Sequence, residues 1–326
     1  MAVKAVLRIN LSGAASDPTV EADRYQAAIE MAAMADAGGF AIVNVEEHHD
    51  AEIGWLSSPL VMAGMIVSRT QRVTVRANAL LGTLYDPIRL AEEIAMLDLA
   101  SRGRFVFVLG QGYRPSEYHA FDRDWSTRGQ ASDFLIETLL AAWGTQPMQY
   151  RGRAIHVSPR PYSQPHPPFY CGGMSQPAAR RAARFGLPFM PPQPMPELEA
   201  FYWAECQRLG TPGRVEVHRD LSLLFIDPNP DQAWEELGPY FMRELAQYSA
   251  WANPDVPRHH QSDQLTLAAL REQGIYSILT PEECLARITA RGGDYQPILH
   301  PLAGGVPLAR AWQCMSLFTD QVLGRL

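Results

Sequence analysis

Short β-branched runs alternate with longer helical patterns along this 326-residue chain, and no other feature restricts its fold as strongly. Residues 5–11 read as a strand, 21–37 as an Ala-rich amphipathic helix, and Gly38-Gly39 as its stop. Residues 41–46 form the second strand and 58–68 its helix; residues 72–81 form the third, followed by a helix opened by Asp86-Pro87. The continuous apolar run 105–109 has the pattern of a strand buried on both faces. Further strands are expected at 169–171, 187–190, 215–226 and 298–302, with helices at 178–185, 197–209, 231–251 and 308–323 and a helix start at Thr280-Pro281-Glu282-Glu283.

Eight parallel strands with right-handed helical crossovers close into a barrel, so the expected class is α/β, a (β/α)8 TIM barrel with insertion segments. The whole chain, 1–326, reads as one domain. Residues 146–168, with a small hairpin and a proline-rich connection, read as an insertion; the polar stretch 253–274, carrying His259-His260, reads as a mobile lid. The competing architecture is an open doubly wound sheet. Its GxGxxG fingerprint is nearly present at Gly110-Gln111-Gly112, but the third glycine is replaced by Pro115 and the motif follows the fourth strand instead of the first.

A net charge of -7 argues against a nucleic-acid surface, which needs clustered Lys and Arg. The nearest basic run, Arg180-Arg181-Ala182-Ala183-Arg184, is spaced like the solvated face of a helix. Four scattered cysteines suit free thiols in a reducing compartment. No apolar run reaches the ~18 residues of a membrane span, and the first residues lack a signal h-region, so the expectation is a cytoplasmic protein.

In a barrel, chemistry lies at the carboxyl ends of the strands. Three ends carry polar or glycine-rich groups. Glu47-His48-His49-Asp50 offers two imidazoles, but adjacent side chains of an extended chain point to opposite faces, which argues against a shared metal ion. Catalysis and simple structural hydrogen bonding both fit that cluster. Gly110-Gln111-Gly112-Tyr113 can let a planar ligand approach the backbone, or merely turn the chain. Gly172-Gly173-Met174-Ser175 delivers a serine to a helix N-terminus, as a helix cap or as a phosphate site.

Together these motifs resemble the bacterial luciferase-like family of flavin-dependent oxidoreductases. The resemblance rests on Val45-Glu46-Glu47-His48-His49, on Leu97-Asp98-Leu99-Ala100-Ser101-Arg102-Gly103-Arg104-Phe105, and on Gly110-Gln111-Gly112-Tyr113 with Glu117 and Phe121 after it. It extends through Pro159-Arg160-Pro161, Gln164-Pro165-His166-Pro167-Pro168 and Gly172-Gly173-Met174-Ser175. It implies the (β/α)8 fold, a homodimer, and a flavin at the carboxyl ends of the strands. His48 matches the family's catalytic histidine and Ser175 a serine that contacts the flavin phosphate. Asn78-Ala79 falls where the family has a non-prolyl cis peptide against the flavin ring.

Asn78, Ala79, Gly110, Gln111, Gly173, Met174 and Ser175 are thus the expected cofactor residues, with His49 and Tyr113 toward substrate and no metal. Gly110 stands where the luciferase α subunit has a reactive cysteine, Gln111 where it has an arginine, and Met174 where it has a glutamate. The implied reaction is oxygenation of a small organic substrate, carbonyl or electron-rich, by reduced FMN and O2 through a peroxyflavin, with a separate flavin reductase as partner. Hydride transfer with a deazaflavin coenzyme is the alternative, and a non-catalytic flavin-binding subunit a further one.

Overall fold

The computed structural model describes residues 3–144, 146–218, 220–253, 262–292 and 295–326. Its strands are β1 (Val6–Ile9), β2 (Ile42–Val45), β3 (Thr74–Leu80), β4 (Phe105–Leu109), β5 (Met148–Tyr150), β6 (Arg153–Ile155), β7 (Phe169–Gly172), β8 (Phe189–Met190), β9 (Leu223–Ile226), β10 (Tyr276–Leu279) and β11 (Ile298–Leu299). The chain forms two compact units, one of Met1–Ser57, Arg69–Thr74 and His218–Leu326, the other of Ser58–Ser68 and Val75–Val217.

In the first unit the strands run parallel in the order β10-β9-β11-β1-β2. In the second, parallel strands follow β3-β4-β7-β8. Helices separate these strands, so both units are built from the β/α repeat that the sequence pattern predicts. The signals at the helix ends act as expected. Asp86 accepts hydrogen bonds from the N–H groups of Ile88 (3.0 Å) and Arg89 (3.2 Å), with Pro87 in the first turn of Pro87–Ser101. Thr280 and Glu283 form a reciprocal capping box at the start of Pro281–Arg291.

Several boundaries differ, and one strand was not expected. The strand expected at 215–226 shrinks to β9, because Asp220 takes the N–H of Ser222 (2.9 Å) in a local turn; Val215 makes only an isolated bridge to Phe189. The strand expected at 187–190 likewise shortens to β8. β10, absent from the sequence expectation, pairs in register with β9 from Tyr276↔Leu223 to Leu279↔Ile226. Of the expected lid, residues 254–261 lie outside the described residues, while Leu267–Gln273 is a helix capped by Thr266.

The block Asp98 to Phe105 has a local physical reason. Arg102 ends its helix in the left-handed region (φ 53°) and Gly103 follows at φ 80°, which turns the chain sharply into β4. The Ser101 hydroxyl accepts the N–H of Phe105 (3.0 Å). The fully buried Asp98 receives the backbone N–H (2.7 Å) and the hydroxyl (2.8 Å) of Ser163, and so ties residues 146–168 to this turn. That segment opens with the antiparallel β5/β6 hairpin. The arginines of the basic run are ion-paired: Arg181 and Arg184 with Asp133, Arg180 with Glu205.

Candidate active site

His48 follows β2 in the first unit. Its backbone N–H donates to Leu56 O (3.1 Å), and Leu56 N–H donates to Asn10 O (2.7 Å), so the connection after β2 is fastened to the end of β1. The half-buried imidazole stands among three aromatic rings. Centroid distances are 5.3 Å to Trp55, 5.7 Å to Tyr248 and 5.0 Å to Trp251, the first two edge-to-face at 85° and 81°. These rings also pack on one another, at 5.0–5.8 Å. His49 turns elsewhere: its Nε2 lies 3.0 Å from Oε1 of the buried Glu47. The neighbouring histidines therefore have different surroundings, as alternation along an extended segment requires.

Beside the aromatic group lies a set of buried charges. Arg8, on β1, pairs through Nε with Glu46 and donates from Nη2 to Glu46 Oε2 (3.0 Å) and to the Tyr248 hydroxyl (2.9 Å). That hydroxyl donates in turn to Glu46 Oε2 (3.2 Å). Glu244, fully buried, accepts from the Tyr276 hydroxyl (2.7 Å), Asn10 Nδ2 (3.1 Å) and Ser12 Oγ, and lies 3.1 Å from His300 Nε2. Burial opposes its charge, but His300, Arg8 and Ser12 outweigh burial and hold the carboxyl well below the usual range. Arg8 is also buried against its charge, yet Glu46, Tyr248 and Glu244 raise it well above the ordinary arginine value.

The second unit supplies the other expected residues. Asn78-Ala79 is a cis peptide at the end of β3. Gly110 N–H donates to Leu80 O (2.9 Å), and a Cβ at Gly110 would stand 2.9 Å from the Cβ of Ala79, so only glycine allows the two strand ends this approach. Gln111 Nε2 donates to Arg128 O (3.1 Å) and Ser132 Oγ (2.8 Å), while its carbonyl accepts from the Tyr118 hydroxyl (2.7 Å). Tyr113 is half-buried on the same connection. Gly173, at φ 142°, packs so closely that a Cβ would meet Ala178 at 2.5 Å. Met174 is half-buried, and the exposed Ser175 is the N-cap of Gln176–Arg184, but its side chain makes no cap hydrogen bond.

Asn78, Ala79 and Gly110 are thus brought together, and Gly173 to Ser175 stand at a helix start. His48 and His49 belong to the first unit. The sequence reading missed Arg8, Trp55, Glu244, Tyr248, Trp251 and His300, and in the second unit Arg128 and Ser132. A signal did exist for two of them: Glu244 and Tyr248 are four residues apart, a spacing that puts a carboxylate and a phenol on one face of a helix.

Residues 6–293 match the family model described as luciferase-like monooxygenase. The chain belongs to the luciferase-like monooxygenase family. The alkanal monooxygenase alpha chain of Photorhabdus laumondii subsp. laumondii is 26% identical over 170 residues, 50% of this chain and 46% of that one. The chain spans about half the length of the curated relatives it matches. Monooxygenase RslO1 from Streptomyces bottropensis aligns with a TM-score of 0.78 at 22% identity, covering 98% of this chain and 99% of that one. The oxygenating constituent of 3,6-diketocamphane monooxygenase from Pseudomonas putida, in complex with FMN, aligns at 0.69 and 14% identity over 100% and 99% of the two chains. An F420-dependent secondary alcohol dehydrogenase, with an F420-acetone adduct, aligns at 0.70 and 17% identity over 99% and 98%. These likenesses show the fold, and they bear out the α/β, (β/α)8 class expected from the repeat of strand and helix.

Proposed function

We propose that this luciferase-like chain is a monooxygenase that uses reduced FMN and O2 to oxygenate a small organic molecule, a carbonyl compound or an electron-rich one. The observation that carries the proposal is His48: a half-buried titratable group, at a motif the family resemblance marks as catalytic, enclosed by three aromatic rings. Such an enclosure limits water and suits an apolar substrate. His48 holds a proton and exchanges it with the substrate oxygen as charge develops there.

The second unit fits a flavin. The close approach of Ala79 and Gly110, where a side chain on residue 110 would intrude, suits a planar ring laid against the backbone of these two strand ends. Ser175 Oγ, unused as a cap, and the first-turn N–H groups of Gln176–Arg184 suit a phosphate. Gly173 and Met174 lead into that turn. Gln111, after β4, is bonded to Arg128 O in the first turn of Arg128–Trp143, where Arg181 Nη2 also donates to Gly129 O (3.0 Å). When bound, reduced FMN supplies the electrons that activate oxygen, and the chain contributes binding, orientation and the proton at His48.

A separate reductase would deliver the reduced flavin, and the chain would work in the cytoplasm as a homodimer. Val61 and Met65 on Pro59–Arg69, with Met96 and Leu99 on Pro87–Ser101, expose apolar surface that suits a second copy. Residues 253–274 would act as a lid over the substrate, His49 and Tyr113 would lie toward it, and residues 146–168 would be an insertion in a single domain.

The second reading is hydride transfer with a deazaflavin coenzyme, favoured by the shared fold of the F420-dependent alcohol dehydrogenase. Equilibrium titration with reduced FMN, oxidised FMN and the deazaflavin coenzyme decides between them, followed by oxygen uptake with a panel of carbonyl compounds. The monooxygenase reading expects tight reduced-FMN binding and substrate-dependent oxygen uptake; tight binding of the deazaflavin coenzyme alone, without oxygen uptake, would overturn it.

A further inference from the structure

We infer that Tyr248 is a positioning residue for His48, its ring setting the place of the imidazole and its hydroxyl clamped between Arg8 and Glu46. The inference rests on the catalytic reading of His48 for its functional meaning, but its geometry stands by itself. It begins with the helix Pro230–Ala250, on which Phe241, Glu244 and Tyr248 recur at spacings of three and four and so share one face. Phe241 stacks on Tyr276 at 4.8 Å between centroids and 9° between planes. The Tyr276 hydroxyl bonds Glu244, which is further held by Asn10, Ser12 and His300. One turn of helix later, Tyr248 starts from a backbone that this buried carboxylate has already fixed.

The far end of Tyr248 is fixed as well. Its oxygen accepts from Arg8 Nη2 (2.9 Å) and donates to Glu46 Oε2 (3.2 Å), and those two groups are themselves ion-paired. A phenol bound at its oxygen and rooted at its Cα cannot swing, since either displacement breaks charge-assisted hydrogen bonds inside the protein. This restrained ring lies edge-to-face with the imidazole, at 81°, and with Trp55, at 81°. Misplacement of a proton-transfer group by about 1 Å can cost up to about 100-fold in rate.

The test is spectroscopic and uses the ligand-free full chain, so its outcome is independent of whether His48 is catalytic. With ¹³C-labelled histidine, the His48 Cε1–H and Cδ2–H signals are assigned by their loss in His48→Gln, and ring currents from Trp55, Tyr248 and Trp251 make them sensitive to position. Tyr248→Phe keeps the ring and removes the clamp. The expected result is that the His48 signals shift and broaden while those of exposed His119 stay in place. A folded Tyr248→Phe variant with wild-type His48 signals overturns the inference, even if its thermal stability is lower. Should that variant fail to fold, Glu46→Gln leaves the tyrosine intact and weakens one side of the clamp; it must displace the His48 signals in the same way, and unchanged signals there equally overturn it.

Discussion

The two units prepare for chemistry by opposite means. The first places charge beside an aromatic enclosure: Arg8 and Glu46 hold the hydroxyl of Tyr248, whose ring packs on His48, and Glu244 is bonded one helical turn earlier on the same helix. The second works by leaving side chains out: Gly110 and Gly173 bring backbone within distances that a Cβ would forbid, and Ser175 opens a helix without capping it. Fixed charge suits a group that must keep one orientation while a proton moves. Bare backbone suits the recognition of a large flat ligand with a phosphate. The contrast implies that substitutions in the first unit act on rate and stability, and those in the second on cofactor affinity.

The sharpest test of that division is His48→Ala. It is expected to lower kcat by on the order of 10²–10⁴ while the flavin dissociation constant stays within about twofold, measured by steady-state turnover and equilibrium titration. Equal losses in both would break the comparison. Glu244→Gln is expected to cost about 3–5 kcal/mol in urea unfolding, because Arg8 and His300 lose a buried counter-charge.

The sign of the pH dependence follows from the depressed Glu244 value. The unfolded chain binds the extra proton first, so the Glu244 contribution is fully present above the ordinary glutamate range near 4.3 and is lost as pH falls toward the folded-state value. Wild-type stability should drop across that acid window, and Glu244→Gln should flatten the drop; an equally steep acid limb in the variant counts against the assignment.

Two smaller effects sharpen the second half of the comparison. Gly110→Ala puts a methyl against Ala79 and is expected to weaken flavin binding by about tenfold, at a stability cost of about 1–3 kcal/mol. Ser175→Ala is expected to weaken FMN binding by a few-fold and leave riboflavin binding unchanged. Its melting temperature should stay near wild type, because no cap bond worth about 1 kcal/mol is lost. A melting temperature that falls while FMN affinity holds would make Ser175 a structural residue.

Much of the fold was legible because local physics decides it. Phe105–Leu109 is a strand by its unbroken apolar run, and Asp86-Pro87 and Thr280 with Glu283 announce helices through groups that satisfy their own first turns. β10 escaped notice because the five residues between the left-handed Gly274 and the cap Thr280 leave no room for a recognisable period. The site was legible where a short motif carries it, as at His48 and Gly110. It was illegible where folding brings distant positions together: Asn10 and Glu244 are separated by 234 positions, and Arg8 occupies a strand position that pattern alone would give to an apolar side chain. Charged groups buried by mutual pairing cannot be told from surface ones until their partners are known.

The shared face of Pro230–Ala250 has a consequence for how the protein matures. Because Glu244 and Tyr248 ride on one rigid turn, the helix cannot dock in a shifted register without withdrawing both from their partners at once. Docking of this helix should behave as a single checkpoint: before it, Arg8 and His300 lack the Glu244 carboxylate and the Arg8–Glu46 pair lacks the Tyr248 phenol, and after it the Tyr248 ring stands against His48.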